Sequence, residues 1–238
     1  MLDGGAALFK EVPAKSPELK DRAAFIADIY RQLGYDAVCV GSRDLAAGME
    51  FLRRLERAGL PLISANLFYQ GRRAFAPFKI LEVKGLRIGV VGLTSSSIPL
   101  RVPDREKIAV KGYQDVLAEI VKDLEARTDY LILLSNIAPG KERKLLRQWP
   151  QFDLVISSGR VGATKSPVTT VGRPLVSTSA LGKSMGFLII RAEPGEAGRF
   201  SVRNRDVRLG RKIKEDKAVA GQIKAFLRRV KLSRSDPL

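Results

Sequence analysis

Polar side chains that could bind an ion follow several predicted strands of this chain, in the loops where each strand ends. Because open α/β sheets place ligands beyond the carboxyl ends of their strands, a site is expected in these loops. The loops are residues 4–7, 41–44, 66–67, 135–138 and 157–161. Two of them contain an arginine, Arg43 and Arg160, whose planar guanidinium group suits carboxylates and phosphates.

Asp3 and Asp44 could hold a hard cation weakly. We predict instead that Asp3 is a strand-end residue and Asp44 an acid in the first turn of a helix.

Histidine is absent from all 238 residues, which excludes whole classes of chemistry. Without imidazole there is no His-based zinc site, no Ser-His-Asp triad and no His general base that titrates near neutrality. The single cysteine, Cys39, cannot form an internal disulfide. It lies in an apolar run, so we predict a buried structural residue and not a reactive thiol.

Positive charge dominates the surface chemistry of the chain. Lys and Arg number 42 against 25 Asp and Glu, giving a net charge of +17, and residues 199–238 alone carry +9. This basic end could bind nucleic acid, acidic lipid or an acidic protein, or it could simply be a solvated face. Its two aromatic residues, Phe200 and Phe226, do not form an evident stacking platform, and no nucleic-acid-binding motif occurs.

Apolar residues make up 45% of the chain, which is enough for a folded domain with a substantial core. No run of about 18 apolar residues occurs, so no transmembrane helix is predicted. No signal peptide is visible at the start of the chain.

Hydrophobic periodicity predicts helices alternating with short strands in a βαβ rhythm, hence an α/β fold. The predicted helices are residues 19–33, 43–58, 113–127, 140–149 and 215–230. The predicted strands are residues 36–40, 60–65, 78–83, 86–93, 130–135, 153–157, 174–177, 186–191 and 200–209. Lys84-Gly85 predicts a hairpin turn between two of these strands. The run 94–97, a threonine and three serines, is predicted to be a polar loop, with the lining of a cleft as the alternative.

Five segments in order, residues 35–41, 61–66, 88–94, 129–135 and 152–157, resemble the metallophosphoesterase (calcineurin-like) domain of bacterial 5′-nucleotidases. The resemblance covers about residues 2–192. It implies a four-layer α/β/β/α sandwich with two mixed sheets that lacks the family's first strand, because the segment 2–7 matches the second. It also implies a site where two divalent metals activate water for phosphoester hydrolysis.

At the ligand positions that can be compared, this chain carries residues that cannot replace the family's ligands. The bridging Asp becomes Ala6, an Asn becomes Ser42, and four His become Arg43, Asn136, Gly159 and Val161. The family's opening Asp-x-His motif would lie upstream of Met1. We therefore predict that no metal is bound and that these positions are vestigial. The resemblance brings Arg43 and Arg160 to the same cleft, where they and Ser42 form a candidate anion-binding set; solvated surface arginines are the alternative.

Local roles are predicted for two of these replacements. Ser42 is expected to cap the helix that begins at Arg43. Asn136 is expected to be a polar strand-end residue with local backbone bonds.

The leading hypothesis is a degenerate, non-catalytic 5′-nucleotidase-like domain that binds an anion, such as phosphate or a nucleotide, or a protein partner. One alternative is a phosphoesterase or nucleotidase with unorthodox or upstream-encoded metal ligands. Another is a basic module that docks on nucleic acid or an anionic surface.

A partner, acidic or otherwise, or an upstream segment is expected to cover the sheet edge at residues 2–7. Residues 1–210 are predicted to form the metallophosphoesterase-like domain and residues 211–238 a basic helix and tail. The resemblance implies a periplasmic or extracellular location, with a cytoplasmic one as the alternative.

Overall fold

Short strands alternate with helices along the chain, as the hydrophobic pattern predicts. The computed structural model describes residues 1–10, 12–158, 163–164, 166–193 and 200–235. The α-helices are α1 (Pro17–Gln32), α2 (Met49–Arg57), α3 (Gln114–Glu125), α4 (Pro139–Gln148) and α5 (Lys217–Ser235). The strands are β1 (Leu2–Asp3), β2 (Ala37–Cys39), β3 (Leu62–Ile63), β4 (Leu67–Tyr69), β5 (Arg72–Arg73), β6 (Phe78–Val83), β7 (Leu86–Leu93), β8 (Ile108–Val110), β9 (Tyr130–Ser135), β10 (Leu154–Ser157), β11 (Val168–Thr170), β12 (Arg173–Val176), β13 (Ser184–Ala192) and β14 (Phe200–Arg208).

Hydrogen bonding divides these strands into four sheets, where the sequence predicts two. The largest has six strands in the order β11-β12-β10-β9-β7-β6 and is mixed, while β1-β2-β3 is entirely parallel. The antiparallel sheets β5-β4-β8 and β13-β14 complete the set. The α/β class is confirmed, and so is the hairpin of β6 and β7, which turns at Lys84-Gly85.

Three hydrophobic cores show how the layers stack. In the first, Val38 of β2 packs with Ala23 of α1 and Leu52 of α2. In the second, the six-stranded sheet packs against α3 and α4. The third joins the parallel sheet β1-β2-β3 to the six-stranded sheet and contains Cys39 of β2 together with Ile132 of β9. The order is therefore helix, sheet, sheet, helix, which is the predicted α/β/β/α sandwich.

Cys39 lies in this central core and is completely shielded from solvent. Its burial raises the pKa of the thiol far above the usual range, so the thiolate is suppressed. The predicted inert, buried cysteine is confirmed.

One predicted helix, residues 43–58, is divided in two. A 3₁₀ helix spans Ser42–Ala47 and α2 begins at Met49. Gly48 between them has a φ of +86°, a conformation that a continuous α-helix does not contain. The prediction of one uninterrupted helix is wrong for this reason.

The basic helix α5 docks on α1 through a stacked pair of rings, Phe226 on Phe25, whose centroids are 4.5 Å apart. Gln222 also donates a hydrogen bond to Gln32 at 3.0 Å. The division into residues 1–210 and 211–238 stays a prediction. Within the part of the chain that the structure describes, no helix is long and apolar enough to cross a membrane.

Candidate functional site

The carboxyl ends of β1 and β2 meet so closely that their backbones touch. A Cβ added at Gly41 would lie 2.3 Å from the amide nitrogen of Ala6, and one added at Gly5 would lie 2.6 Å from the carbonyl oxygen of Cys39. Gly5 and Ala6 both have positive φ angles, +99° and +63°. Only glycine fits at position 41, because a side chain there would collide with the backbone and the methyl group of Ala6.

Asp44 holds the two strand ends together by hydrogen bonds. Its carboxylate accepts backbone hydrogen bonds from Ala6 at 2.8 Å, Leu8 at 2.9 Å and Gly41 at 2.8 Å. The residue is only 1% exposed, and burial raises the pKa of Asp44 to about 6 although the three amides act in the opposite direction. Both carboxylate oxygens are occupied by amide hydrogens, so Asp44 serves as a structural link in the first turn of the 3₁₀ helix.

Ser42 does not cap that helix. The cap position is Gly41, and its amide is bonded by the Asp44 carboxylate three residues later, so the serine hydroxyl has no capping bond to make. The predicted cap at Ser42 is therefore wrong by one residue.

A second chain of hydrogen bonds crosses from the parallel sheet to the six-stranded sheet. The Ser42 amide donates to Asn136 Oδ1 at 3.0 Å, Asn136 Nδ2 donates to Ser158 Oγ at 2.8 Å, and Ser158 Oγ donates to the Gly4 carbonyl at 2.7 Å. Asn136 thus bonds to residues far away in sequence, whereas only local backbone bonds were predicted for it. We call Gly4, Ala6, Gly41, Ser42, Asp44, Asn136 and Ser158 the strand-end junction.

Of the predicted arginine pair, only Arg43 belongs to the described residues. Arg43 is exposed at the edge of the strand-end junction. Gly159, Arg160 and Val161 lie outside the described residues. The structure therefore brings Ala6, Ser42 and Asn136 together, and the pairing of Arg43 with Arg160 stays a prediction.

A neighbouring group of buried polar residues joins the ends of β3 and β7. The Thr94 hydroxyl donates to the Val40 carbonyl at 2.6 Å and accepts a hydrogen bond from the Ser64 hydroxyl at 2.7 Å. The Asn66 side chain bonds the Thr94 backbone twice, at 2.9 Å and 3.0 Å. Sequence reasoning missed this role of Asn66, although an asparagine directly after a buried strand is a signal that could have suggested it.

Known proteins resemble the chain both in sequence and in structure. The 5′-nucleotidase of Rattus norvegicus is 26% identical over 234 residues, which cover 87% of this chain and 40% of that protein. The 5′-nucleotidase of Vibrio cholerae is 28% identical over 166 residues, 61% of this chain and 29% of that protein. The chain thus spans two fifths or less of the length of these two relatives. No family model matches the chain.

Among solved structures, the sulfate thiohydrolase SoxB of Thermus thermophilus superposes with a TM-score of 0.81 at 19% identity, covering 96% of this chain and 42% of that one. A 5′-nucleotidase precursor from Thermus thermophilus gives 0.76 at 18% identity, with coverage of 97% and 49%. In sequence and in fold, the chain resembles the metallophosphoesterase domain of the 5′-nucleotidases. The predicted resemblance and fold class are confirmed.

Metallophosphoesterases use divalent metals, so the donor set of the strand-end junction matters. Among the residues that the structure describes, no group of three or more His, Cys, Asp or Glu side chains is placed to hold a metal ion. The second acid close to the strand-end junction, Asp3, accepts hydrogen bonds from the Gly5 amide at 2.7 Å and from the Tyr30 hydroxyl at 2.9 Å. Its burial raises the pKa of the carboxyl group.

Proposed function

We propose that this metallophosphoesterase-like domain binds an anion, such as phosphate or a nucleotide, without hydrolysing phosphoesters. The observation that carries the proposal is the engagement of Asp44 by three backbone amides at the strand-end junction. A carboxylate used in this way contributes to folding and has no free oxygen directed at a metal.

The chemistry of the available donors supports the same proposal. Two metal ions that share a bridging water need several anionic or imidazole ligands held at once. Ala6 offers a methyl group, Ser42 is a weak neutral donor, and the amide oxygen of Asn136 already accepts from a backbone amide. The described strand-end residues therefore do not fit a pair of divalent ions.

The anion-binding part of the proposal is supported by charge. The chain has a net charge of +17, and Arg43 is exposed beside the strand-end junction. Guanidinium and ammonium groups at such a position bind phosphate oxygens by charge-assisted hydrogen bonds. Ser42, Arg43 and Arg160 remain our proposed contributors to anion binding.

Metal analysis together with a phosphatase assay tests the absence of hydrolysis. The purified chain would be loaded with manganese and zinc, desalted, and assayed with nitrophenyl phosphate and with adenosine monophosphate. We expect much less than one metal ion per chain and no turnover that a chelator removes. Stoichiometric metal together with chelator-sensitive turnover would show that the domain is an active phosphoesterase.

A protein or polyanion partner at the basic end is the second candidate. Lys224, Arg228 and Arg229 of α5 are exposed, while Phe226 anchors the helix on α1. Binding of heparin to this surface should weaken steeply with salt, because each neutralised charge releases counterions. A salt-independent interaction would contradict a polyanion role for α5.

A further inference from the structure

We propose that a cleft beside the strand-end junction, lined by three lysines, is the place where a phosphate group binds; this inference rests on the anion-binding function proposed above. The cleft has a volume of about 250 Å³ and lies beyond the ends of β3, β7 and β9. Its charged and hydroxyl lining consists of Lys111, Lys141, Lys144 and the serines at positions 95–97. We call it the lysine cleft.

The lysine cleft is positively charged, and its lysines have no ion-pair partner among the described residues. None of the ion pairs among the described residues includes Lys111, Lys141 or Lys144. The described residues that line the cleft include no Asp or Glu. Glu142 follows Lys141 directly, but it is buried and accepts a hydrogen bond from the Ser135 hydroxyl at 2.7 Å. Asp115 is exposed on α3 beside Gly112 and is not part of the lining.

The loops that form the cleft are held in place before any ligand arrives. Asn66 accepts a backbone hydrogen bond from Lys111 at 3.0 Å and donates to the Lys111 carbonyl at 3.3 Å, in addition to its two bonds with the Thr94 backbone. One buried side chain therefore joins the serine loop to the lysine-bearing segment. The Lys111 ammonium group also lies 4.2 Å from the centroid of the Phe68 ring, which limits its motion. A preorganised site loses less entropy when it binds.

Two helices begin at the cleft and add to its positive potential. The lining includes Gln114, the first residue of α3, and Ala138, which directly precedes α4. The positive end of the helix dipole favours an anion at this position. Lys141 and Lys144 are three residues apart on α4, so their side chains project from the same face of that helix.

The volume of the cleft limits the ligand to a small one. Pockets that bury drug-sized molecules span roughly 300–1,000 Å³. About 250 Å³ suits inorganic phosphate or the phosphate of a small monoester. Tyr113 forms part of the lining and is half-buried, so an aromatic surface is present for a base or another flat group attached to the phosphate.

Heteronuclear NMR titration of the full chain with inorganic phosphate, against chloride at equal ionic strength, tests the proposal. We expect saturable amide shifts centred on residues 95–97 and on Lys141. In the double variant Lys141→Ala/Lys144→Ala, the affinity for phosphate should fall roughly tenfold or more, because charge-assisted bonds are lost. The matched control, Lys20→Ala/Lys122→Ala, removes two exposed helical lysines outside the cleft and should change the affinity less than about twofold.

The outcomes separate this inference from the proposed function. Saturable shifts that centre on Ser42 and Arg43 and survive loss of Lys141 and Lys144 would overturn the lysine cleft but leave an anion-binding domain. Equal losses in both double variants would assign binding to the general basic surface and would overturn the cleft as well. Absence of any saturable binding would contradict both. A parallel titration with adenosine monophosphate distinguishes the ligands: equal affinity supports a site for the phosphate alone, and tighter binding supports a nucleotide.

Discussion

The strand-end junction and the lysine cleft lie side by side on the same edge of the molecule but differ in what they leave unsatisfied. In the junction, Asp44 is buried and its carboxylate oxygens are already paired with amides. In the cleft, Lys111, Lys141 and Lys144 are exposed, and no described acid pairs with them. On our proposal, the ligand binds next to the strand ends and not at them, while the overall fold of the domain is retained.

The sharpest test of this difference compares two glycines. Gly41→Ala in the junction would place a methyl group 2.3 Å from the Ala6 nitrogen, and backbone cannot yield as a flexible side chain does. We expect a loss of about 4 kcal/mol or more in the free energy of unfolding. Gly140→Ala in α4 beside the cleft meets nothing within 4 Å and should change stability by less than about 1 kcal/mol. Urea unfolding measures both, and similar values would show that the junction is looser than described.

The second test removes charge from each region. Asp44→Ala leaves three amides, two of them buried, without an acceptor, so we expect a loss of about 3 kcal/mol in the free energy of unfolding. Asp44→Asn keeps one acceptor oxygen and should lose about 2 kcal/mol. Lys141→Ala/Lys144→Ala should stay within about 0.5 kcal/mol of the wild type, because both lysines are exposed and unpaired. A neutral Asp44→Ala variant would contradict the structural role of this carboxylate.

The third and smallest effect is a pH dependence that only the junction should show. The pKa of Asp44 is raised by burial to about 6, above its value in the unfolded chain. Between pH 3.8, the ordinary pKa of the group, and about pH 6, the folded state therefore binds more protons than the unfolded state. The stability that Asp44 contributes is present at low pH and is lost as pH rises through about 6. The deficit of Asp44→Asn relative to the wild type should be larger at about pH 4.5 than at about pH 7.5. A deficit that grows with pH would mean that the amides outweigh burial.

Regular elements with strong periodicity were predictable from the sequence. The prediction for α3 follows from apolar residues at helical spacing, and the hairpin of β6 and β7 follows from Lys84-Gly85 between two apolar runs. Strands β4, β5, β8 and β11 were missed, because runs of two or three residues carry almost no period. Their pairing depends on neighbours that are distant in the sequence.

The site was less predictable than the fold. Polar residues and the family resemblance predict the strand ends as the site, and the resemblance places Ala6, Ser42 and Asn136 near one another there. The lysine cleft was not found, because Lys111 and Lys141 are far apart in a chain with many basic residues. The predicted run 94–97 does line a cleft, but Asn66 and the lysines that complete it become neighbours only in three dimensions.

The burial of Cys39 gives this protein an internal reporter of its own opening. It is the single thiol of the chain and is fully enclosed between the parallel sheet β1-β2-β3 and the six-stranded sheet, so an alkylating reagent reaches it only when this core opens. The rate of its modification in native buffer therefore follows the population of opened molecules. If phosphate binding slows this labelling, the ligand has lowered the population of opened molecules, and no other probe needs to be attached.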